Sequence, residues 1–300
     1  MSELICFENV TVVICKKQLY NDIDIRHVCY TQTANYRSTH MNGELFQICM
    51  IVNAARKALT AASCCDVEID GFVDHTEFRF LPEKALFHTK EYIAHSAGDW
   101  FSHCQEHGLA DIKMLCPVKT DDRTILGYVN TTGSSIVTFY PSSRITFWTA
   151  HWEFIPDRKK WKVLYTEHSW DNAPREKITF EDNTVQFNKI LTEISEFADE
   201  IDFSGFGDIF RSAGRILNGT EEIPLNYPNR EKISLPELSE AKKRMFYAAS
   251  KADVFGAMGS WNDSPPWYAE EKGLGGKYDQ LSDELLKQIR LAILYSINEN

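Results

Sequence analysis

The chain has 300 residues, of which 43% are hydrophobic and 25% charged, with a formal charge of −11. This supports one large or two modest globular domains with no need of disulfides. The acid is concentrated late, with 21 acidic against 13 basic side chains in residues 181–300, so a phosphate backbone is repelled and nucleic acid is excluded as the expected partner.

No run of about 18 apolar residues occurs, so no membrane span is expected. The opening Met1-Ser2-Glu3-Leu4-Ile5-Cys6 lacks a basic segment before its apolar run, which predicts a cytoplasmic chain with reduced thiols. The eight cysteines lie between Cys6 and Cys116, and none form a C-x-x-C pair. They are expected to pack as small apolar groups.

In chain order, residues 4–15 are rich in Val and Ile and read as a strand or strand pair. Residues 21–43 carry no pattern. Residues 44–62 read as a helix on the spacing of Leu45, Ile48, Val52, Ala55 and Leu59. A strand at 67–80 follows, then a helix at 90–107 with Ile93, Ala97, Trp100 and Cys104 on one stripe. Strands are expected at 111–118, 124–130, 135–140, 144–155 and 160–168. The last two form a hairpin around Pro156-Asp157, with Trp148, Ala150, Trp152 and Phe154 on one face and Val163 and Tyr165 returning.

After a polar joint at 171–176 the period changes to helical. Residues 184–201 place Phe187, Ile190, Leu191, Ile194, Phe197 and Ala198 on one face. A short helix at 206–217 comes next. Ser234-Leu235-Pro236-Glu237 fits a capping box for a helix reaching about 255, and the last helix is expected to start near Ser282. Gly273-Leu274-Gly275-Gly276-Lys277-Tyr278 lacks phosphate-loop spacing and reads as a flexible loop. The fold class is therefore α+β: a curved antiparallel sheet with N-terminal helices over 1–175, followed by an acidic all-helical region over 180–300.

All nine histidines lie between His27 and His168, so imidazole or thiol chemistry belongs to the first part. His103-Cys104-Gln105-Glu106-His107 matches H-x-x-E-H, in which two histidines one helical turn apart share a zinc ion and a Glu acts as base. Glu181 is the candidate third ligand. The competing reading is a solvated helix face, and neither a metal nor any other cofactor is expected. In the loop at 256–268, Trp261, Trp267 and Tyr268 are candidate binding aromatics. The alternative is that they plug the helix pack.

The closing strands, Ile145-Thr146-Phe147-Trp148-Thr149-Ala150-His151-Trp152-Glu153-Phe154 and Trp161-Lys162-Val163-Leu164-Tyr165-Thr166-Glu167-His168-Ser169, resemble those of the NTF2-like cone fold, the group that includes the SnoaL-like polyketide cyclases. The resemblance spans about residues 44–170. It implies a curved sheet wrapped round a helix with an apolar cone, in members that are hydrolases, isomerases, cyclases or non-catalytic binding modules. Catalytic members place an Asp and a His inside the cone, which makes His151, His168 and Asp99 candidates by segment.

The favoured function is a non-catalytic cytoplasmic binding or protein-interaction module, since no complete catalytic motif occurs. Its acidic helices with aromatic anchors suit a basic protein partner, in the manner of an immunity or antitoxin-like protein. The alternatives are an enzyme that uses the cone pocket and a zinc hydrolase built on His103, Glu106 and His107. The oligomeric state and the identity of any ligand are open at this point.

Overall fold

The computed structural model describes residues 3–7, 10–14, 41–84, 89–174, 177–223 and 238–299. The unpatterned stretch before Met41 and the Ser234–Glu237 capping box lie outside these residues. Strands β1 (Glu3–Phe7) and β2 (Val10–Ile14) pair antiparallel, with Glu3 opposite Ile14.

Helix α1 (Gly43–Ala61) starts where the Asn42 side chain accepts from the Glu44 N–H at 2.8 Å, and it ends at Ala62 in the left-handed region. Strand β3 (Val73–Arg79), the small ladder of β4 (Glu83–Lys84) and β5 (Thr89–Lys90), and β6 (Ile93–Ala94) follow. Helix α2 (Ala97–Glu106) therefore begins later than its stripe suggests. The Ser96 hydroxyl caps it through the Asp99 N–H at 3.0 Å, while Ile93 and Ala94 are taken up by pairing with the end of β3.

The remaining strands are β7 (Asp111–Leu115), β8 (Ser135–Phe139), β9 (Ile145–Ile155) and β10 (Lys160–Ser169). The strand expected at 124–130 is instead a 3-10 turn, Arg123–Gly127, capped by the Asp122 carboxylate. Gly127 meets the backbone of Gly256 and Ala257 so closely that a Cβ would sit 2.5 Å from the Ala257 nitrogen. The segment is clasped by the helical region and has no strand partner to join.

The six-stranded sheet has the order β6-β3-β10-β9-β8-β7. Its pairings are antiparallel except that of β10 with β3, which runs parallel with Phe78 beside Tyr165. Period-two alternation gives the sheet an inner face carrying Phe78, Tyr165, Glu167, Trp148 and Met114. Helices α1 and α2 cover it. Cys49 of α1 touches Met114 at 3.5 Å, and Trp100 of α2 stacks on Phe78 with ring centroids 5.0 Å apart.

The helical part comprises α3 (Thr184–Glu200), α4 (Ser204–Leu217), α5 (Glu240–Ala252), α6 (Pro265–Glu271) and α7 (Gly275–Asn298). The stripe of α3 is buried as its spacing predicts. Helix α7 begins well before Ser282, and Gly275 and Gly276 of the segment read as a loop open its first turn. The buried Tyr278 holds that turn in place, its hydroxyl donating to the Trp261 carbonyl at 2.7 Å.

One apolar cluster runs through both parts. The Met41 N–H donates to the Ser250 carbonyl at 3.0 Å, and Phe46 lies 6.4 Å from Phe246. At the sheet edge, the Asn298 side-chain amide accepts from the Met114 N–H at 2.8 Å and donates to the Met114 carbonyl at 2.9 Å. A side chain there stands in for the next strand.

Candidate functional site

Strand β10 sends Val163, Tyr165 and Glu167 inward by alternation, and only the last is charged. Glu167 is 6% exposed. Its Oε2 accepts the Leu81 N–H at 2.9 Å, and its Oε1 accepts the Thr146 hydroxyl at 2.8 Å. Behind Thr146, on the same inner face, Thr138 lies 2.7 Å away, and the Trp148 indole N–H reaches Thr138 at 3.3 Å. An indole nitrogen can only donate, so the protons of this chain point one way, from Trp148 through Thr138 and Thr146 to Glu167. The arrangement suits an ionised carboxylate, which accepts at both oxygens.

Glu167 closes the inner end of a cavity of about 350 Å³ between α2 and the end of the sheet. The wall is aromatic. Tyr92 stacks on His103 at 4.0 Å, Phe80 meets His103 edge-on at 4.4 Å, and His103 lies 4.3 Å from His107. Tyr140 and Cys104 complete the interior. Burial pushes the Cys104 thiol up to about 12 and raises the Tyr140 phenol as well, so both are neutral at pH 7 and Cys104 is no thiolate nucleophile. At the exposed mouth the Arg144 guanidinium lies 3.9 Å above the Tyr140 ring. Among the described residues neither Glu167 nor Arg144 makes an ion pair, with each other or with a third group.

The sequence candidates are dispersed. Asp99 is exposed in the first turn of α2. His151 is exposed on β9, where strand parity puts it opposite to the inward Trp152. His168 follows Glu167 and so faces the other side of β10, stacked on Phe147 at 5.0 Å and 3.0 Å from the Thr149 hydroxyl. Burial lowers its pKa. These three form no Asp–His pair on the inner face of the sheet, where the carboxylate beside α2 is Glu167.

His103 and His107 do share a helix face on the cavity wall. Glu106 is exposed, and Glu181 follows Phe180, whose N–H donates to Glu299 Oε1 at 3.0 Å at the far end of α7. Among the described residues no group of three or more His, Cys, Asp or Glu is placed to hold a metal ion. The spacing of the motif brings His103 and His107 together, and neither Glu106 nor Glu181 joins them.

The aromatic loop divides. Trp261 is fully buried, its indole N–H donating to Ser282 at 2.8 Å, with Phe206, Phe210 and Tyr278 around it. As a binding residue it is corrected to a core plug. Trp267 and Tyr268 are 58% and 39% exposed and pack edge-to-face at 4.9 Å.

Compared with known proteins, the chain matches no family model, no curated protein and no solved structure. Sequence reading passed over Glu167, Tyr140, Arg144 and Tyr92. A signal was present for the first: an acid in register with Val163 and Tyr165 on an apolar strand face. None existed for the others, which reach the cavity from separate segments.

The acidic band on α3 is largely answered within the chain. Asp199 pairs with Arg211, Glu200 with Lys277 and Asp202 with Lys272, at 2.6–2.8 Å. In a groove of about 790 Å³ between α3 and α7, Lys189 pairs with Glu193 and Lys287 with Glu284, while Asp283 pairs with Arg123. No helix among the described residues is long and apolar enough to cross a membrane.

Proposed function

We propose that the protein is a non-catalytic binding module of the NTF2-like, SnoaL-like kind, holding a small molecule in the cavity that Glu167 closes. The order of helix, strand, helix and then a run of sheet strands, with α1 and α2 on the inner face, supports the family reading.

One observation carries the binding reading. A buried carboxylate receives hydrogen bonds through neutral groups and has no cation beside it, at the end of an aromatic-walled cavity. Removing an ion from water costs several kcal/mol, and neutral donors recover only part of that. A ligand donor at Glu167 supplies the remainder. Pockets of this kind, apolar with few convergent polar groups, are the usual small-molecule sites.

Ligand-observed NMR with a library of small polar aromatics tests this on the full chain. Hits are expected on the parent protein and are expected to vanish in Ser169→Trp, which places an indole at the exposed mouth. A library with no hits, or hits indifferent to Ser169→Trp, ends the reading.

Exposure of Trp267 and Tyr268 supports a second reading, a protein-docking face. The pairing of the α3 acids reduces the charge available to attract a basic partner there. A pull-down from native lysate that loses its partner in Trp267→Ala supports it, and an unchanged profile counts against it.

A further inference from the structure

Resting on the pocket reading above, we infer that the ligand is a zwitterion of free amino acid size, with its ammonium against Glu167 and its carboxylate at Arg144.

Glu167 and Arg144 line one cavity, carry opposite charges, and leave each other unpaired. Glu167 is buried and accepts from neutral donors only. Arg144 stands at the solvent side, resting on the Tyr140 ring and keeping its N–H fork for an oxygen pair. A ligand with a positive group alone meets Glu167 well and then sets its remainder against a guanidinium. A ligand with a negative group alone meets Arg144 and directs its other end at a carboxylate. Charge mismatch at close quarters is what excludes wrong partners from a desolvated site. A molecule carrying both charges answers both residues, and in only one orientation.

The walls and the volume narrow the class further. Phe80, Tyr92 and His103 offer flat ring surfaces, which suit an apolar or aromatic side chain. The cavity, about 350 Å³, is near the lower end of the range of roughly 300–1,000 Å³ for small-molecule sites. It holds a single small metabolite and excludes a peptide of several residues. Cys104 and Tyr140, both neutral, add no competing charge at the inner end.

The test is a calorimetric titration of the full chain with the common free L-amino acids, singly, L-phenylalanine and L-tyrosine included. Each amino acid that binds is then compared with its two single-charge analogues, the deaminated acid and the decarboxylated amine, which for phenylalanine are 3-phenylpropionate and phenethylamine. At least one amino acid with an apolar or aromatic side chain is expected to bind. Each single-charge analogue of it is expected to bind about tenfold more weakly or worse, a loss of about 1.4 kcal/mol. Glu167→Gln should erase the preference for the ammonium, and Arg144→Gln the preference for the carboxylate. Arg144 is exposed, so its variant keeps the test available should Glu167→Gln not fold. An analogue with one charge binding as tightly as its parent overturns the inference. So does a chain that binds no amino acid while retaining library hits abolished by Ser169→Trp, and in that case the pocket reading survives. Absence of amino acids and library hits alike removes both.

Discussion

Trp261 and Trp267 are six residues apart and do opposite things. The first is enclosed by the rings of Phe197, Phe206, Phe210 and Tyr278 and bonded to Ser282, and the second is mostly in water. Truncating a fully buried Trp forfeits its transfer free energy and leaves a cavity, so Trp261→Ala should cost about 3–5 kcal/mol in urea unfolding. Trp267→Ala should stay within about 0.5 kcal/mol. Equal effects would show that the loop is placed differently. The Arg290–Asp253 pair makes a sharper case. Both side chains are 3% exposed, 3.9 Å apart, and burial raises the Asp253 pKa despite the guanidinium. Removing one partner strands a buried charge, so Asp253→Ala should destabilise by about 3–5 kcal/mol. Replacing both, as Asp253→Leu with Arg290→Met, should be far less costly than the single change, and a double variant worse than the single would contradict this account. None of this is readable along the chain, because burial of Asp253 depends on α7 arriving from 37 residues away.

At the scale of elements, much was legible where one face decides. The α3 stripe and the β9–β10 hairpin follow from spacing alone, since each buries a single side against one neighbour. Boundaries were not legible where a distant segment decides. Ile93 has helical spacing with Trp100, yet the edge of β3 claims it together with Ala94. The 123–127 turn carries strand-like Ile125 and Leu126, yet Gly127 is locked against Gly256 and Ala257. Gly127→Ala should therefore destabilise by about 1–3 kcal/mol through overpacking, read from the thermal midpoint. Asn298 tests the edge of the sheet. With its amide replaced in Asn298→Leu, both polar groups of Met114 lose their partner, at a cost of about 1–3 kcal/mol. Hydrogen exchange at Met114 should accelerate in particular, and a uniform change across the chain would point to a different cause.

For the molecule as a whole, two charge patterns matter. The late surplus of acid, visible in composition, is held in a lattice of internal pairs on α3, α4 and α7, which composition cannot show. The other pattern is buried acid. Glu44 accepts the Asn130 N–H and the Thr132 hydroxyl, yet its burial is the larger influence and raises its pKa above 4.5. The folded state therefore holds that proton more tightly than the unfolded chain. The resulting contribution to stability is complete below about pH 4.5 and is lost as pH rises through the folded value. Chemical denaturation of Glu44→Gln at several pH values should show its penalty largest in acid and shrinking toward pH 7. A penalty that grows with pH would reverse the assignment.

The bond between Asn298 and Met114 joins residues 184 positions apart in the chain. At about 5–20 residues per second, a ribosome that has just made Met114 needs roughly 10–40 s to deliver its partner. Throughout that interval β7 presents bare backbone at the end of a growing sheet. Such an edge recruits other strands. The nascent chain thus has a window of vulnerability that the finished protein does not, and its expression should depend on chaperone supply. A chain stopped at residue 174 should go into inclusion bodies while the full chain stays in solution.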